Sequence, residues 1–162
     1  MSIRLIVKEP DPVLREIAKE VTKFNPNLKK LLKDMAETMY DAEGVGLAAP
    51  QVGISKRVIV VDVRDEHGLV EMVNPVIVEQ SGEQVGPEGC LSIPNLNGEV
   101  KRADRIVVAG QNSDGEPITI EASGFFARAF QHEIDHLNGI LFTDIALNVY
   151  DVSELARKGG ES

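Results

Sequence analysis

Leu28, Leu31, Leu32, Met35 and Met39 recur at i, i+3, i+4, i+7 and i+11, which places them on one stripe of a helix. The pattern predicts a helix from about Pro26 to Tyr40, with Asn25 as N-cap, Pro26 at the first helical position and Gly44 ending it in the left-handed conformation. A short helical turn is expected over 12–18, after Asp11-Pro12. The middle of the chain changes period. Arg57–Val63 is an apolar, β-branched run, and Asp65–Gly68 reads as a turn. Leu69–Glu79 is extended, with Pro75 marking an edge or a bend. Glu99–Ala109 and Pro117–Glu121 flank Asn112-Ser113-Asp114-Gly115 and predict a hairpin. A second helix is expected from about Gly124 to Asn138, with Ser123 as N-cap and Gly139 as its stop, and a weak third over Val152–Lys158. A block of strands with helices before and after it predicts an α+β fold rather than alternating βαβ units.

With 162 residues, no repeat and no long linker, residues 1–162 are expected to form one domain. The composition is that of an ordinary globular protein, with 43% hydrophobic and 27% charged residues. A net charge of −9 argues against direct, phosphate-driven nucleic-acid binding. Lys29, Lys30 and Lys33, or Arg157 and Lys158, form only modest basic clusters. The single cysteine, Cys90, excludes an intrachain disulfide, and no apolar run is long enough to span a membrane. No signal or transit pattern is visible, so a reducing cytoplasm is the expected location.

Two of the chain's three histidines lie in His132-Glu133-Ile134-Asp135-His136. On a helix His132 and His136 differ by about 40° around the axis and about 6 Å along it, so both imidazoles can face one ion. Glu133 borders the same spot without having to be a ligand. This is the two-histidine arrangement of metallohydrolases, with the glutamate as general base. The bland alternative is a surface helix that happens to carry two histidines and two acids. A hydrolytic site needs a third protein ligand. Cys90, in a Gly/Pro-rich segment expected to be irregular, is one candidate, and Glu154 is the other. Gly44-Val45-Gly46-Leu47-Ala48-Ala49-Pro50-Gln51 lacks the Gly-Lys-Ser/Thr ending of a phosphate loop. It is either a helix cap followed by a tight connection or a backbone wall for an extended peptide, with Gln51 able to donate to an oxyanion.

GVGLAAPQ at 44–51, EGCLS at 88–92 and QHEIDH at 131–136, in this order, resemble the three signature motifs of the peptide deformylase family. The spacings and chain length agree, so the resemblance spans nearly the whole chain. It implies an α+β fold in which antiparallel sheets pack around the helix carrying the HExxH motif, with an N-terminal helix. It implies Cys90, His132 and His136 as ligands of one divalent metal ion. Fe²⁺ is the physiological ion implied, with Zn²⁺, Ni²⁺ or Co²⁺ able to take its place. Glu133 becomes the general acid/base, Gln51 and the Leu91 N–H the oxyanion donors, and Gly46 and Gly89 backbone partners of the peptide. The activity implied is removal of the N-formyl group from the formyl-methionine of N-formyl-methionyl peptides and nascent chains, with formate released and transient ribosome contact. The two other classes considered are a zinc endopeptidase with Glu154 as third ligand and a non-catalytic metal-binding module.

Around the second helix, Phe125, Arg128 and Ala129 fall within about 60° of His132. Phe125 and Ala129 are expected to line a methionine pocket with Val45, and Arg128 to snorkel at its rim. Asp135 is expected to orient a ligand histidine or to be solvated. Glu88 and Arg102 are expected to pair and brace the Cys90 segment, and His67 to be exposed and unrelated to the site. Some family members carry an arginine just beyond the cysteine motif that contacts substrate; Asn95-Leu96-Asn97-Gly98 supplies no such cation.

Overall fold

The protein is described by a computed structural model covering residues 3–152. Helix α1 (Pro26–Asp41) starts where its cap predicts, with the Asn25 side chain accepting the Leu28 N–H at 3.1 Å. It stops differently. Glu43, not Gly44, takes the left-handed turn (φ +59°), and the Gly44 N–H reaches back to the Met39 carbonyl at 2.9 Å. Gly44 instead packs close to Leu91: a Cβ there would lie 2.9 Å from Leu91 Cδ1, so that methyl group would have to shift. The turn expected over 12–18 is a shorter 3-10 turn, Pro12–Arg15.

Five strands form one antiparallel sheet: β1 (Gly46–Ala48), β2 (Val58–Val61), β3 (Val70–Ser81), β6 (Arg105–Gln111) and β7 (Pro117–Ser123), in the order β1-β2-β3-β6-β7. A second antiparallel sheet contains β4 (Gln84–Cys90), β5 (Ile93–Arg102) and β8 (Asn148–Asp151), in the order β4-β5-β8. The single strand expected over Glu99–Ala109 is therefore two, broken at Ala103-Asp104, and its halves serve different sheets. Gln131 caps that break with a paired amide, accepting the Ala103 N–H at 3.0 Å and donating to its carbonyl at 2.9 Å. Pro75 lies in a central strand, at a bulge between Val73 and Val76 rather than on an edge. There β3 leaves β2, so the missing N–H removes no ladder bond to that neighbour.

The apolar run of β2 is continuous because both faces are covered. Ile59 and Val61 join Met72, Ile106 and Val108 under helix α2 (Gly124–Leu137), while Val58 and Val60 meet the leucine and methionine stripe of α1. Phe126, Phe130, Ile134 and Leu137 seat α2 in that core. Each large apolar side chain buried contributes roughly 1.5–3 kcal/mol, so the helix is anchored by its own apolar face. A short helix, α3 (Phe142–Ile145), places Phe142 with Leu14, Ile93, Val100 and Leu141 in a smaller cluster against the second sheet. The architecture is the α+β one predicted. Beyond Val152, the helix expected to Lys158 lies outside the described residues, as does Glu154. Among the described residues no helix is long and apolar enough to cross a membrane.

Candidate active site

Of the residues of α2, only Gly124, Phe125 and Asp135 escape burial, so the polar face of this helix must find its partners inside the protein. Cys90 ends β4, an ordered edge strand rather than the irregular segment expected, and its Sγ lies 3.3 Å from His136 Nε2. Ligand atoms of Cys90, His132 and His136 all lie within 4.8 Å of one another. His132 Nδ1 is engaged by Glu88 Oε1 at 2.9 Å, which leaves Nε2 to face the Cys90 sulfur. The site attracts positive charge. Burial opposes a charge on His132, yet the Cys90 sulfur and the Glu88 carboxylate outweigh it and raise its pKa well above the ordinary imidazole value. Burial holds His136 well below that value and so keeps it neutral. A sulfur and two imidazoles with no fourth protein donor among the described residues fit a catalytic divalent cation, since structural zinc takes four protein ligands.

Glu88 organises the layer behind His132. Its burial favours the neutral acid, but hydrogen bonds from Arg102 and His132 prevail and bring its pKa down to about 2. Arg102 grips it through two nitrogens at 2.8 and 2.9 Å, so the expected pair exists and sits directly behind His132. Asp135 does not touch a histidine. It accepts from Arg102 at 2.5 Å and thus reaches His132 through Arg102 and Glu88. Arg128 does not snorkel at the rim. It is 5% exposed and donates to Glu88 Oε2 at 2.6 Å and to the carbonyls of Gly86 and Val100. A buried carboxylate 40 residues away in sequence outweighs the pull of solvent. Its i−4 spacing from His132 is the one local hint of this role.

Glu133 is 4% exposed, and its buried Oε1 has no hydrogen-bond partner among the described residues. Burial pushes its pKa up to about 7, near the value a general base needs. Gln51, 1% exposed, is held by the Ala48 N–H on its Oε1 at 3.0 Å. That bond turns Nε2 toward Ser92 Oγ, 3.2 Å away, and Cys90 Sγ, 3.5 Å away. The contact with Ser92 was not foreseen; the residue stood in the EGCLS motif without a role.

In front of these groups opens a cavity of about 380 Å³. Val45, Phe125 and Ala129 line it, with Gly46, Gly89, Leu91, His132 and Glu133. Its two sides are the free edges of the two sheets, β1 with the preceding Gly44–Val45 and β4. His67 lies apart, exposed as expected but stacked on Phe126 with ring centroids 4.2 Å apart.

The sequence profile of the polypeptide deformylase family matches residues 3–150. Peptide deformylase 1 of Bacillus cereus is 56% identical over 155 residues, covering 96% of this chain and 99% of its own. The peptide deformylase of Acetivibrio thermocellus is 54% identical, covering 98% of this chain and 92% of its own. The crystal structure of peptide deformylase from Thermotoga maritima superposes with a TM-score of 0.88 at 50% identity, covering 91% of this chain and all of that one. With the HExxH helix, the clustered cysteine and histidines and the cavity before them, these likenesses establish that the chain belongs to the polypeptide deformylase family, metal-dependent hydrolases that remove the N-formyl group from nascent peptides.

Proposed function

We propose that Cys90, His132 and His136 hold the catalytic cation, Fe²⁺ in the cell, and that Glu133, Gln51 and the Leu91 N–H carry out deformylation around it. The observation that carries this is the clustering of the three ligand atoms within 4.8 Å beside a buried, unpartnered carboxylate oxygen. A thiolate with two imidazoles suits Fe²⁺ as well as Zn²⁺. When bound, a divalent cation supplies Lewis acidity: it polarises the formyl carbonyl, makes water more acidic and favours the ionised form of nearby carboxyls.

The chain's own groups do the rest. Glu133 takes a proton from the water that attacks the formyl carbon. Gln51 Nε2 and the Leu91 N–H donate to the oxygen as it gains negative charge. When the C–N bond breaks, Glu133 passes its proton to the departing amine, formate is released and the peptide keeps a free N-terminus. The peptide enters extended between β1 and β4, pairing with backbone groups of Gly46 and Gly89 as an added strand. The methionine side chain occupies the cavity between Val45, Phe125 and Ala129.

The whole chain, 1–162, works as one catalytic domain. It meets nascent chains in the cytoplasm through transient contact with the ribosome. Lys29 and Lys30 are engaged by Asp114 and Asp34, which fits a fleeting encounter better than stable docking on RNA phosphates.

The test is an anaerobic assay of formate release from a formyl-Met-Ala peptide, combined with elemental analysis. Cys90→Ser is expected to lose the metal and the activity together. Glu133→Gln is expected to keep the metal and lose turnover by about 10²–10⁴-fold. Full metal content in Cys90→Ser, or full turnover in Glu133→Gln, overturns the assignment.

A further inference from the structure

We infer that the N-terminal strap Val7–Glu9 positions the two oxyanion donors, with the Lys8 ammonium donating to the Leu91 carbonyl. The inference rests on the roles proposed for Gln51 and Leu91. Those donors stand on different sheets. Gln51 follows β1 in the five-stranded sheet, whereas Leu91 lies in the turn joining β4 to β5 in the three-stranded one. No β-ladder therefore fixes the distance between them.

Three consecutive residues of the strap bridge the gap. The Val7 N–H donates to the Gln51 carbonyl at 2.7 Å, and the Glu9 N–H donates to the Ser92 carbonyl at 2.9 Å. Between them Lys8 Nζ donates to the Leu91 carbonyl at 3.1 Å. Inside the protein the same two segments meet a second time, through Gln51 Nε2 and the fully buried Ser92 Oγ at 3.2 Å. The strap thus clamps from outside what the Gln51–Ser92 bond joins from within. Its far end is fixed to α1, where the Arg4 N–H donates to Thr38 Oγ1 at 2.8 Å and the Arg4 guanidinium grips Asp34.

Lys8 is exposed and touches neither substrate nor metal ligand, so it acts only as a positioning residue. Removing its ammonium leaves the core intact and lets the Leu91–Ser92 peptide drift, and with it the Leu91 Cα that carries the N–H donor on its other side. An error of an ångström in a donor that binds the transition state appears in kcat more than in KM.

The experiment compares wild type, Lys8→Met, Lys8→Arg, Gln51→Ala and the Lys8→Met/Gln51→Ala double variant of the metal-loaded enzyme. Formyl-Met-Ala peptide is the substrate, with melting temperature and metal content measured alongside. Lys8→Met is expected to lower kcat about tenfold, the low end for groups that orient others, with KM, metal content and melting temperature unchanged. Lys8→Arg is expected to recover kcat to within about twofold, since a single carbonyl contact accepts either cation. In the Gln51→Ala background the Lys8→Met effect is expected to shrink, because both changes damage one unit. A wild-type kcat in Lys8→Met, or a loss that follows melting temperature or metal content, overturns the strap's role. If Gln51→Ala lowers kcat and Lys8→Met does not, the strap proposal alone fails. If Gln51→Ala itself keeps a wild-type kcat, the oxyanion assignment fails and the strap proposal falls with it.

Discussion

A Cβ built on residue 46 would lie 2.6 Å from Glu133 Oε2 and 2.9 Å from its Cγ, closer than real Cβ contacts allow. Glycine at 46 therefore lets a strand edge and the Glu133 carboxylate share one spot. Gly46→Ala forces Glu133 or β1 to shift. Because β1 is buried against β2 and the core, the carboxylate is the part that yields. The expected result is a fall in kcat of about 10²-fold with the metal retained and the fold preserved by circular dichroism. Turnover near wild type in Gly46→Ala would show that Glu133 need not stand where it does.

On the scale of elements, α2 is the part most readily recognised in the sequence, because its function and its fold obey the same period. His132 and His136 are four apart for the same reason that Phe126 and Phe130 are, so the histidine face and the core face could both be read from one helical pattern. The second sheet resisted that approach. β4 is mostly glycine, proline and polar residues, and its order comes from pairing with β5 in the fold rather than from local propensity. β1 has only three residues, too few to establish a period. The break between β5 and β6 carries no glycine or proline, and the signal that makes it, Gln131 on Ala103, comes from 28 residues away. Arg128 was misplaced for the same reason: its partner Glu88 is distant in sequence and buried. What the two free edges do can be tested through the substrate. N-methylation of a backbone amide that pairs with β1 or β4 removes a donor and leaves its acceptor unsatisfied, a cost of about 1–3 kcal/mol. The expected fall in kcat/KM is roughly 5- to 150-fold, with the metal content of the enzyme unaffected. An N-methyl peptide cleaved as fast as its parent would mean that the peptide does not bind as an added strand.

For the molecule as a whole, the N-terminal strap ties α1 to both sheets, and its anchor on α1 is electrostatic. Asp34 has a side chain 4% exposed, with Arg4 Nη2 at 3.0 Å and Lys30 Nζ at 3.1 Å on the same oxygen. Burial alone would raise this carboxyl, but the hydrogen bonds from Lys30 and Arg4 prevail and hold it below its ordinary value. A carboxyl depressed by folding stabilises the native state above its unfolded pKa, about 3.9, and that contribution fades as the pH falls through the lower folded value. The anchor is therefore fully present at neutral pH and is lost only below about pH 4. Asp34→Asn removes the negative charge that Arg4 and Lys30 share. It is expected to remove about 1–2 kcal/mol at pH 7, modest because Arg4 and Lys30 reach solvent. In a chain of this size each kcal/mol lowers the melting temperature by roughly 2–4 °C. The variant should also lose stability less steeply than wild type as the pH falls below about 4, because the carboxyl depressed by folding has gone. Thermal melts of both proteins across that range check the sign. Parallel curves, or a variant that loses stability faster in acid, would show that Asp34 is not the carboxyl that ties the strap to α1.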